Sequence, residues 1–433
     1  MDSFIIKEMV LKSIFLKTIY SLKRILVKEY YICSMFQVIL KSGKDASVRR
    51  FHPWVFSGAI KKIKTEEGRE SEPQEGDIVK VTDNKGNYLG TGHYQNGSIM
   101  VRILTFKEEE INEAFWTERI QEAYDLRAQL NLTDNEQTNI YRLIHAEGDG
   151  LPGLIIDYYA GTAVIQSHSI GMHYAKDAIV KALKNVFGEF LKAIFDKSAG
   201  TLPKTGPVQV EDHYIFQSEG YSSIGLEHGC QFKIDWEQGQ KTGFFIDQRE
   251  NRALLGSYSK DKKVLNTFCY TGGFSLAALN AGAIHVDSVD ASARAIDLTD
   301  ENVALNGFTD KHGSFAIDTF KFFEQNDASK YDIVVLDPPA FAKHQNVKHN
   351  AVKGYKRLNA TALQVMKPGA LLFTFSCSQV VDSKLFYNTI MAAAIQTGRK
   401  VRVLHQVTQP ADHPINIYHA ESHYLKGLVL QVI

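Results

Sequence analysis

The fold of the C-terminal half of the chain is indicated most clearly by the stretch Asn266–Phe274, with the sequence NTFCYTGGF. The apolar residues directly before it are typical of a buried strand, and FSLAALNAG, which follows the glycines, is typical of a helix. Gly272 and Gly273 allow the backbone to pass close to a ligand, and the helix N-terminus directs its amide groups toward the same place. The turn does not match GxGxxG, the fingerprint of dinucleotide-binding proteins.

Strand-like and helix-like segments alternate on both sides of this turn. The strand-like segments are KVLNTFC, HVDSVD, FAID, YDIVVLD and ALLFTFSCS, each followed by a helical stretch, and a last strand pair, KVRVLHQVT and YLKGLVLQVI. Nearly continuous apolar strands that alternate with helices predict a parallel sheet covered by helices. Such a Rossmann-like α/β domain, predicted for 227–433, binds its ligand beyond the carboxyl ends of the strands.

Acidic residues end the next strands along the chain. Asp290 ends HVDSVD about twenty residues after the glycine turn, where an acid can accept hydrogen bonds from both ribose hydroxyls of a nucleotide. It could instead cap the helix that begins at Ala293, although Ser292 could do so equally well, and the spacing favours ribose binding. Asp318 follows the third strand, where binding of an adenine amino group and capping of a helix are equally supported.

The fourth strand ends at Asp337, within the sequence YDIVVLDPPAF. Consecutive prolines cannot continue a central strand, so they end it and hold the preceding carboxyl rigidly at the edge of the sheet. A plain strand terminator would not require an acid before the prolines. Together with Asp290 and Asp318, this pattern resembles the class I S-adenosylmethionine (SAM)-dependent methyltransferases.

The resemblance to the class I enzymes covers about 243–432 and implies a SAM site. Asn266–Phe274 would wrap the methionine part of SAM, Asp290 would bind the ribose and Asp318 the adenine. The candidate cofactor-binding residues at these strand ends are Asn266, Phe268, Tyr270, Thr271, Gly272, Gly273, Asp290, Asp318 and Asp337.

A cysteine, Cys377, ends the fifth strand in the same predicted crevice as Asp337. Free cysteines are usually buried core residues, which is the expectation for Cys33, Cys230 and Cys269. Cys377 differs because polar residues surround it where the strand leaves the core, and a core position remains the alternative.

A thiolate beside a SAM methyl group has a specific use. Carbon 5 of a pyrimidine is a poor nucleophile, but addition of Cys377 at carbon 6 would enable carbon 5 to attack the methyl group. A rigid carboxylic acid such as Asp337 could supply the proton or hydrogen bond that the ring nitrogen needs. Cys377 and Asp337 are therefore the candidate catalytic residues, while the base that removes the carbon 5 proton is not identified by the sequence.

Length and local patterns predict further domains before this one. A chain of 433 residues predicts two or three domains. A small β-rich domain is predicted for 35–106, where short strand-like runs alternate with turns such as DNKGN. A central α+β domain, 107–226, opens with the helical INEAFWTERIQEAYDLRAQL.

The apolar and basic segment 1–34 is interpreted as an extension before the natural start at Met35, although a basic amphipathic helix could also lie on a membrane or a partner.

Charge and cysteine content narrow the class of protein. The 49 basic and 49 acidic residues cancel, which argues against a uniformly basic surface but leaves room for a local basic groove. The four cysteines lack the spacing of a zinc site, and they predict reduced thiols and a cytoplasmic protein with no metal. No apolar run reaches the roughly 18 to 20 residues that span a bilayer, so no membrane partner is expected.

From Met35 to Val432 the chain resembles the RlmI family of bacterial 23S rRNA cytosine-5 methyltransferases. The matching segments are FHPWVFSGAI (51–60), EGDGLPGLIIDYY (147–159), KTGFFIDQRENR (241–252), DPPAF, FSCS and HYLKGLVLQV (423–432). The resemblance implies that an N-terminal PUA domain grips structured 23S rRNA, that Cys377 is the nucleophile and that Asp337 recognises the base. It also implies that Gln248 and Arg249 line the approach to SAM.

Several details of this resemblance leave alternatives open. Gln248 and Arg249 could be ordinary surface residues that open a helix, and Arg249 would also suit a phosphate or carboxylate. Ala340 stands where other cytosine-5 enzymes have a second cysteine, so product release has no assigned helper. Phe341 and Phe375 are candidates to stack on a flipped base, with a core position as the alternative for Phe375.

Two basic stretches are candidate contacts to RNA phosphates, although solvated faces are the commoner meaning of lysine runs. They comprise Lys41, Lys44, Arg49, Arg50, Lys61, Lys62 and Lys64 in the first domain, and Lys343, His344, Lys348, His349, Lys353, Lys356 and Arg357 after the DPP turn. The rival functions are methylation of a guanine or an exocyclic amine, a non-catalytic RNA-binding protein of ribosome assembly, and methylation of a small molecule. The oligomeric state is left open, with a homodimer as one option.

Overall fold

The computed structural model describes residues 35–65, 67, 69, 71–203, 208–342 and 347–433. It divides into two compact units, of which the first ends at Glu108 and the second spans 109–433. Residues 1–34, which include Cys33, lie outside the described residues. Their interpretation as an extension and the expectation for Cys33 stay predictions.

The first unit is built on a six-stranded sheet. Its elements are β1 (Phe36–Leu40), α1 (Ala46–Arg49), β2 (Trp54–Phe56), β3 (Ile60–Thr65), β4 (Ile78–Thr82), β5 (Tyr88–Tyr94) and β6 (Ile99–Thr105), with the strands in the order β2-β6-β5-β4-β1-β3. The predicted hairpin at DNKGN is confirmed, because it joins the antiparallel strands β4 and β5. Alternate residues such as Val38, Leu40, Val79 and Val81 are fully buried and form the core of this unit.

The second unit opens with a five-stranded sheet and a hairpin. The elements are α2 (Glu113–Gln129), β7 (Ile140–His145), β8 (Leu154–Tyr159), β9 (Thr162–Ser167), α3 (Ile170–Tyr174), α4 (Lys176–Phe187), β10 (Ala193–Asp196), β11 (His213–Gln217), β12 (Ile224–Glu227) and β13 (Cys230–Lys233). The sheet order is β11-β10-β9-β8-β7, and β12 pairs with β13. The domain boundary predicted between 226 and 227 therefore falls inside a strand of this hairpin.

The rest of the second unit is a seven-stranded sheet with helices. The elements are α5 (Arg249–Ser259), β14 (Lys263–Thr267), α6 (Gly273–Asn280), β15 (His285–Asp290), α7 (Ala293–Leu305), β16 (His312–Ala316), α8 (Thr319–Gln325), β17 (Ile333–Leu336), α9 (Lys348–Val365), β18 (Leu371–Ser376), α10 (Ser383–Thr397), β19 (Val401–Thr408) and β20 (Lys426–Val432). The strand order is β16-β15-β14-β17-β18-β20-β19, with β20 antiparallel to both neighbours. The predicted parallel sheet and closing strand pair are confirmed.

Alternation along the central strands places two cores on the two faces of this sheet. In β17, Val334 and Leu336 pack on one face, whereas Ile333 and Val335 pack on the other, and all four are almost completely buried. The chain runs from β14 outward in both directions, so the strand order reverses between β14 and β17. A ligand crevice is expected at the carboxyl ends of these strands.

A buried ion pair links the two parts of the second unit. The Arg127 guanidinium is fully buried and donates to both carboxylate oxygens of Asp149, at 2.5 and 2.9 Å. It also donates to the backbone carbonyl of Asp412, at 2.7 Å, in the loop between β19 and β20. One side chain of α2 therefore holds a segment that lies 285 residues further along the chain.

Replacing Arg127 by alanine should be strongly destabilising, because it leaves the Asp149 carboxylate buried without its partner. We expect the free energy of unfolding to fall by about 3–5 kcal/mol, as measured by urea denaturation of the full chain. Lys181→Ala is the control, because its pair with Glu113 is exposed to solvent and should contribute little to stability. Equal losses in the two variants would contradict the assignment.

Candidate active site

A cavity of about 480 Å³ lies at the carboxyl ends of β14, β15, β17 and β18. This volume is in the range of small-molecule sites. Nine of the twelve predicted site residues line it, namely Gln248, Phe268, Tyr270, Thr271, Gly273, Asp290, Asp318, Asp337 and Cys377. Asn266, Gly272 and Arg249 do not belong to the lining.

The loop after β14 brings a strained backbone to the cavity. Phe268 and Tyr270 have φ angles of +56° and +48°, which bulky residues rarely adopt. Gly272, with a φ of +80°, precedes the first residue of α6, and a Cβ atom there would lie only 2.8 Å from a methyl carbon of Thr299. The close approach of α7 therefore requires glycine at position 272.

Asp290 lies in the cavity wall and does not cap a helix. The cap of α7 is Ser292, whose hydroxyl accepts a hydrogen bond from the backbone N–H of Ala295. The Asp290 carboxylate accepts from the N–H groups of Tyr270 and Ser292, at 3.1 and 2.9 Å, and so ties the glycine loop to the end of β15. Each of its oxygens retains capacity for a further donor. The capping alternative is wrong for Asp290, and ribose binding stays a prediction.

Asp318 caps α8 and also lines the cavity. Its Oδ1 accepts from the backbone N–H groups of Phe320 and Lys321, at 3.0 and 3.2 Å. Capping, one of the two readings that the sequence left open, is therefore confirmed. The exposed side chain of Asp318 also borders the cavity. Its contact with adenine stays a prediction.

Asn266 faces the protein interior, which corrects its assignment as a residue of the cavity wall. It is 1% exposed, and its Nδ2 donates to Ser275 Oγ at 2.8 Å, while Ser275 contacts the hydroxyl of Ser288 at 2.7 Å. Asn266 thus connects β14 to α6 and β15. It supports the loop after β14 from the interior, whereas Gly272 belongs to that loop but does not line the cavity.

Arg249 requires a second correction. Its guanidinium is buried and donates to the Asp412 carboxylate at 2.8 Å. Arg249 therefore does not line the approach to SAM, and it is not a surface residue either. Both predictions for its position are wrong. Arg249 pairs with a carboxylate, but this is the protein's own Asp412 and not that of a bound ligand.

Gln248 and Asp337 are joined at the cavity wall. Gln248 Nε2 donates to Asp337 Oδ2 at 3.0 Å, and Gln248 Oε1 accepts from Asn251 Nδ2 at 2.6 Å. Burial, reinforced by the neighbouring Asp247 carboxylate, raises the pKa of Asp337 to about 7, although the Gln248 hydrogen bond opposes this shift. Near neutral pH the Asp337 carboxyl can therefore hold or release a proton.

Cys377 directly follows β18 and lines the same cavity as Asp337. It is a free, half-buried cysteine, so the alternative of a core position does not describe it. Burial raises the pKa of the Cys377 thiol, Lys241 lowers it, and the Asp337 and Asp247 carboxylates raise it further. The thiol and the carboxyl are thus close enough to influence each other's charge.

Three charged residues near the thiol were missed at the level of sequence: Lys241, Asp247 and Lys426. Asp247 lies in the short turn Ile246–Gln248, and its Oδ2 accepts from the Tyr424 hydroxyl at 2.7 Å and from Lys241 Nζ at 3.3 Å. All three residues lie inside the quoted segments KTGFFIDQRENR and HYLKGLVLQV. The family resemblance of these two segments was the sequence signal that could have identified the three residues.

Lys426 supports the segment that carries Cys377. Its buried ammonium group donates to the carbonyl oxygens of Ser378 and Val381, at 2.5 and 2.7 Å. Burial lowers the pKa of Lys426 to about 8, whereas the nearby Cys377 opposes this shift. Positive groups close to a cysteine favour its thiolate.

The aromatic candidates for base stacking lie elsewhere. Phe375 is fully buried and stacks on Phe274, with ring centroids 5.4 Å apart, so the core alternative is correct. Phe341 packs against Tyr355 of α9, with centroids 4.7 Å apart, and is not part of the cavity lining. The cavity instead has Phe244, Phe245 and other aromatic rings in its wall.

The basic stretches are only partly available for RNA. Arg49 is engaged by Asp45 and Asp83 at 2.5 and 2.7 Å. Arg357 on α9 lies over the ring of Phe320 at 4.4 Å. Lys343 and His344 lie outside the described residues. Contact of the remaining residues with phosphate stays a prediction.

The described residues carry neither a membrane span nor a metal cluster. They contain no helix long and apolar enough to cross a membrane. Nor do His, Cys, Asp and Glu side chains in the described part form a group that could hold a metal ion. Cys230 and Cys269 are free and buried, which confirms the expectation for both.

Two protein-family models match parts of the chain. A PUA-like domain matches residues 38–106, and a SAM-dependent methyltransferase matches residues 219–418. Among solved structures, a SAM-dependent methyltransferase of Streptococcus mutans has a TM-score of 0.75 at 22% identity, covering 92% of this chain and all of its own. A methyltransferase complexed with SAH has a TM-score of 0.77 at 23% identity and the same coverage. At this identity the two structures show the fold.

Curated relatives match nearly the whole chain. The ribosomal RNA large subunit methyltransferase I of Shewanella amazonensis is 39% identical over 402 residues, which cover 92% of this chain and 99% of the relative. The protein of the same name from Klebsiella pneumoniae is 36% identical over 403 residues, covering 92% and 98%. The predicted fold class, family resemblance and SAM cofactor are confirmed. The chain belongs to the ribosomal RNA large subunit methyltransferase I family of SAM-dependent methyltransferases.

Proposed function

We propose that the protein methylates carbon 5 of a cytosine in 23S rRNA through a covalent intermediate on Cys377. The observation that carries this proposal is the placement of Cys377 and Asp337 at the ends of adjacent strands, in the wall of one cavity. Methylation of an exocyclic amine would need no thiol there. The names of the relatives support large-subunit rRNA as the substrate.

The cavity residues fit SAM. The backbone of the strained loop at Phe268–Tyr270 approaches the cavity, and the Asp290 carboxylate at the end of β15 offers oxygen acceptors for the ribose hydroxyls. Asp318 would lie toward the adenine, and Gln248 toward the methionine part. When bound, SAM supplies an electrophilic methyl group to a nucleophilic carbon.

Cys377 and Asp337 would then act on the target cytosine in three steps. The Cys377 thiolate would form a bond to carbon 6 of the cytosine. The electron pair of the carbon 5–carbon 6 double bond moves between carbons 4 and 5, and the pair of the carbon 4–nitrogen 3 double bond moves to nitrogen 3, which takes the proton of Asp337. Bound SAM would supply the methyl group to carbon 5 and leave as the neutral thioether, while Cys377 keeps its bond to carbon 6. A base that the sequence does not identify takes the carbon 5 proton, which restores the carbon 5–carbon 6 double bond and expels the Cys377 thiolate. The ring nitrogen returns its proton to Asp337, so both groups regain their starting states.

Product analysis tests the proposal directly. The protein is incubated with tritiated SAM and naked rRNA fragments, and the RNA is then digested to nucleosides. We expect the label in 5-methylcytidine. Label in a methylated guanosine or on an exocyclic amine would overturn the proposed chemistry, and absence of label from all rRNA would support a non-catalytic role.

Asp290 gives a prediction for the cofactor site. Asp290→Ala should weaken SAM binding by about 10- to 100-fold, because hydrogen bonds to a charged group are lost. Isothermal titration calorimetry with SAM measures the effect. The matched control is Asp297→Asn, an exposed acid on the next helix, α7, which should bind SAM like the wild type. An unchanged dissociation constant in Asp290→Ala would exclude its role in the SAM site.

A further inference from the structure

Asp247 is the remaining carboxylate beside the catalytic pair, and the proposed chemistry does not use it. It is 4% exposed and lines the cavity together with Asp337 and Cys377. The next residue, Gln248, donates directly to Asp337. The Asp247 carboxylate is also close enough to raise the pKa of Asp337, so the two carboxyl groups are neighbours in the wall of one cavity.

The hydrogen bonds of Asp247 are unevenly distributed over its two oxygens. Oδ2 accepts from the Tyr424 hydroxyl and from Lys241 Nζ. Oδ1 is buried and has no hydrogen-bond partner among the described residues. A buried carboxylate oxygen without a donor is costly, and such an atom in an active site calls for a missing donor.

The two neighbouring carboxyl groups have opposite hydrogen-bonding characters. Burial acts to raise the pKa of Asp247, but Lys241, His413 and the Tyr424 hydroxyl outweigh it and hold this pKa well below its usual range. Asp247 is thus an acceptor, whereas the raised pKa of Asp337 lets it carry a proton and donate near neutral pH.

An acceptor beside a donor is complementary to one pyrimidine. Cytosine presents an amino group, which donates, next to a ring nitrogen that accepts. Uracil presents a carbonyl oxygen next to an N–H, which is the opposite pattern. Enzymes that act on a flipped base commonly read this edge through hydrogen bonds.

We propose that Oδ1 of Asp247 accepts the exocyclic amino group of the target base and thereby selects cytosine over uracil, while Asp337 donates to the adjacent ring nitrogen. This inference rests on the proposed cytosine-5 chemistry. Asp247 is then a specificity-determining residue, and the donors on Oδ2 fix its orientation.

The test uses RNA fragments that differ at a single base. The cytosine methylated by the wild-type protein is located first, and fragments are synthesised with cytosine or with uracil at that position. We expect the wild type to prefer cytosine by about 10- to 100-fold in kcat/KM. In Asp247→Asn the donors from Lys241 and Tyr424 hold the amide oxygen at the Oδ2 position, which turns the amide NH2 toward the base. The preference should therefore fall to about one or below.

Tyr424→Phe is the matched control, because it removes a donor from Oδ2 and leaves Oδ1 in place. It should keep the wild-type preference, whatever its effect on rate. A purely structural role of Asp247 predicts that both variants slow both fragments equally, and that result would overturn the proposal. Equal rates of the wild type on the two fragments would overturn it without any variant. A labelled product of the cytosine fragment other than 5-methylcytidine would instead overturn the proposed function itself.

Discussion

Cys377→Ala should abolish methyl transfer to rRNA, with an expected loss of about 10³-fold or more in kcat, because no other group in the site can add to carbon 6. Among the described residues, Cys377 and Cys269 are the two cysteines in the cavity wall, and Cys269 is 6% exposed with a pKa that burial raises strongly. Binding of SAM to Cys377→Ala should be retained, since the Asp290 end of the cavity is unchanged. Loss of activity with retained SAM binding distinguishes a missing nucleophile from a damaged fold.

A covalent complex provides the more specific readout. In RNA that carries 5-fluorocytosine at the target position, fluorine replaces the proton that must leave carbon 5, so the thioether to Cys377 cannot break down after methyl transfer. The wild type should form a protein–RNA species that survives denaturing electrophoresis, and Cys377→Ala should form none. Cys230→Ala, in which a buried cysteine outside the cavity is replaced, should still form it. A stable adduct in Cys377→Ala would exclude Cys377 as the nucleophile.

The positions of strand ends could be predicted from the sequence because they follow from periodicity. Apolar strands that alternate with helices place their carboxyl ends at one edge of a sheet. Asp290, Asp337 and Cys377, each at or just after such an end, were therefore brought into one cavity as expected. No long-range contact had to be known for this step.

The partners of polar side chains could not be predicted in the same way. Arg249 and Gln248 are adjacent in the sequence, yet Gln248 reaches Asp337 and Arg249 pairs with Asp412, 163 residues away. At a helix start, neighbouring residues point in different directions, and only the tertiary fold determines which of them meets the cavity. The same limit concealed Asp247, whose position beside Asp337 is set by the short turn before α5.

The pH dependence of the reaction should show an acidic limb near pH 7 that disappears in Asp337→Asn. Burial raises the pKa of Asp337 to about 7 and also raises the pKa of Cys377 above its ordinary value. Between these two values the pair holds a single proton. The reactive arrangement has that proton on Asp337 and a thiolate on Cys377, and it exchanges with the arrangement of thiol and carboxylate.

The sign of each limb follows from this shared proton. Below about pH 7 both groups are protonated, no thiolate is available, and kcat/KM should fall as the pH falls. Above the pKa of Cys377 both groups are ionised, the acid is lost, and kcat/KM should fall as the pH rises. The wild type is therefore expected to rise in activity through about pH 7.

Asparagine at position 337 can donate a hydrogen bond but cannot exchange this proton. We expect kcat to fall by about 10²- to 10⁴-fold, and the remaining activity to rise only at the higher pH where Cys377 ionises by itself. Asp318→Asn is the control, because Asp318 lines the same cavity but caps α8. That variant should keep the limb near pH 7 even if its affinity for SAM falls. A change in packing alone would lower the rate without moving the acidic limb. If the limb stays near pH 7 in Asp337→Asn, the group that titrates there is not Asp337.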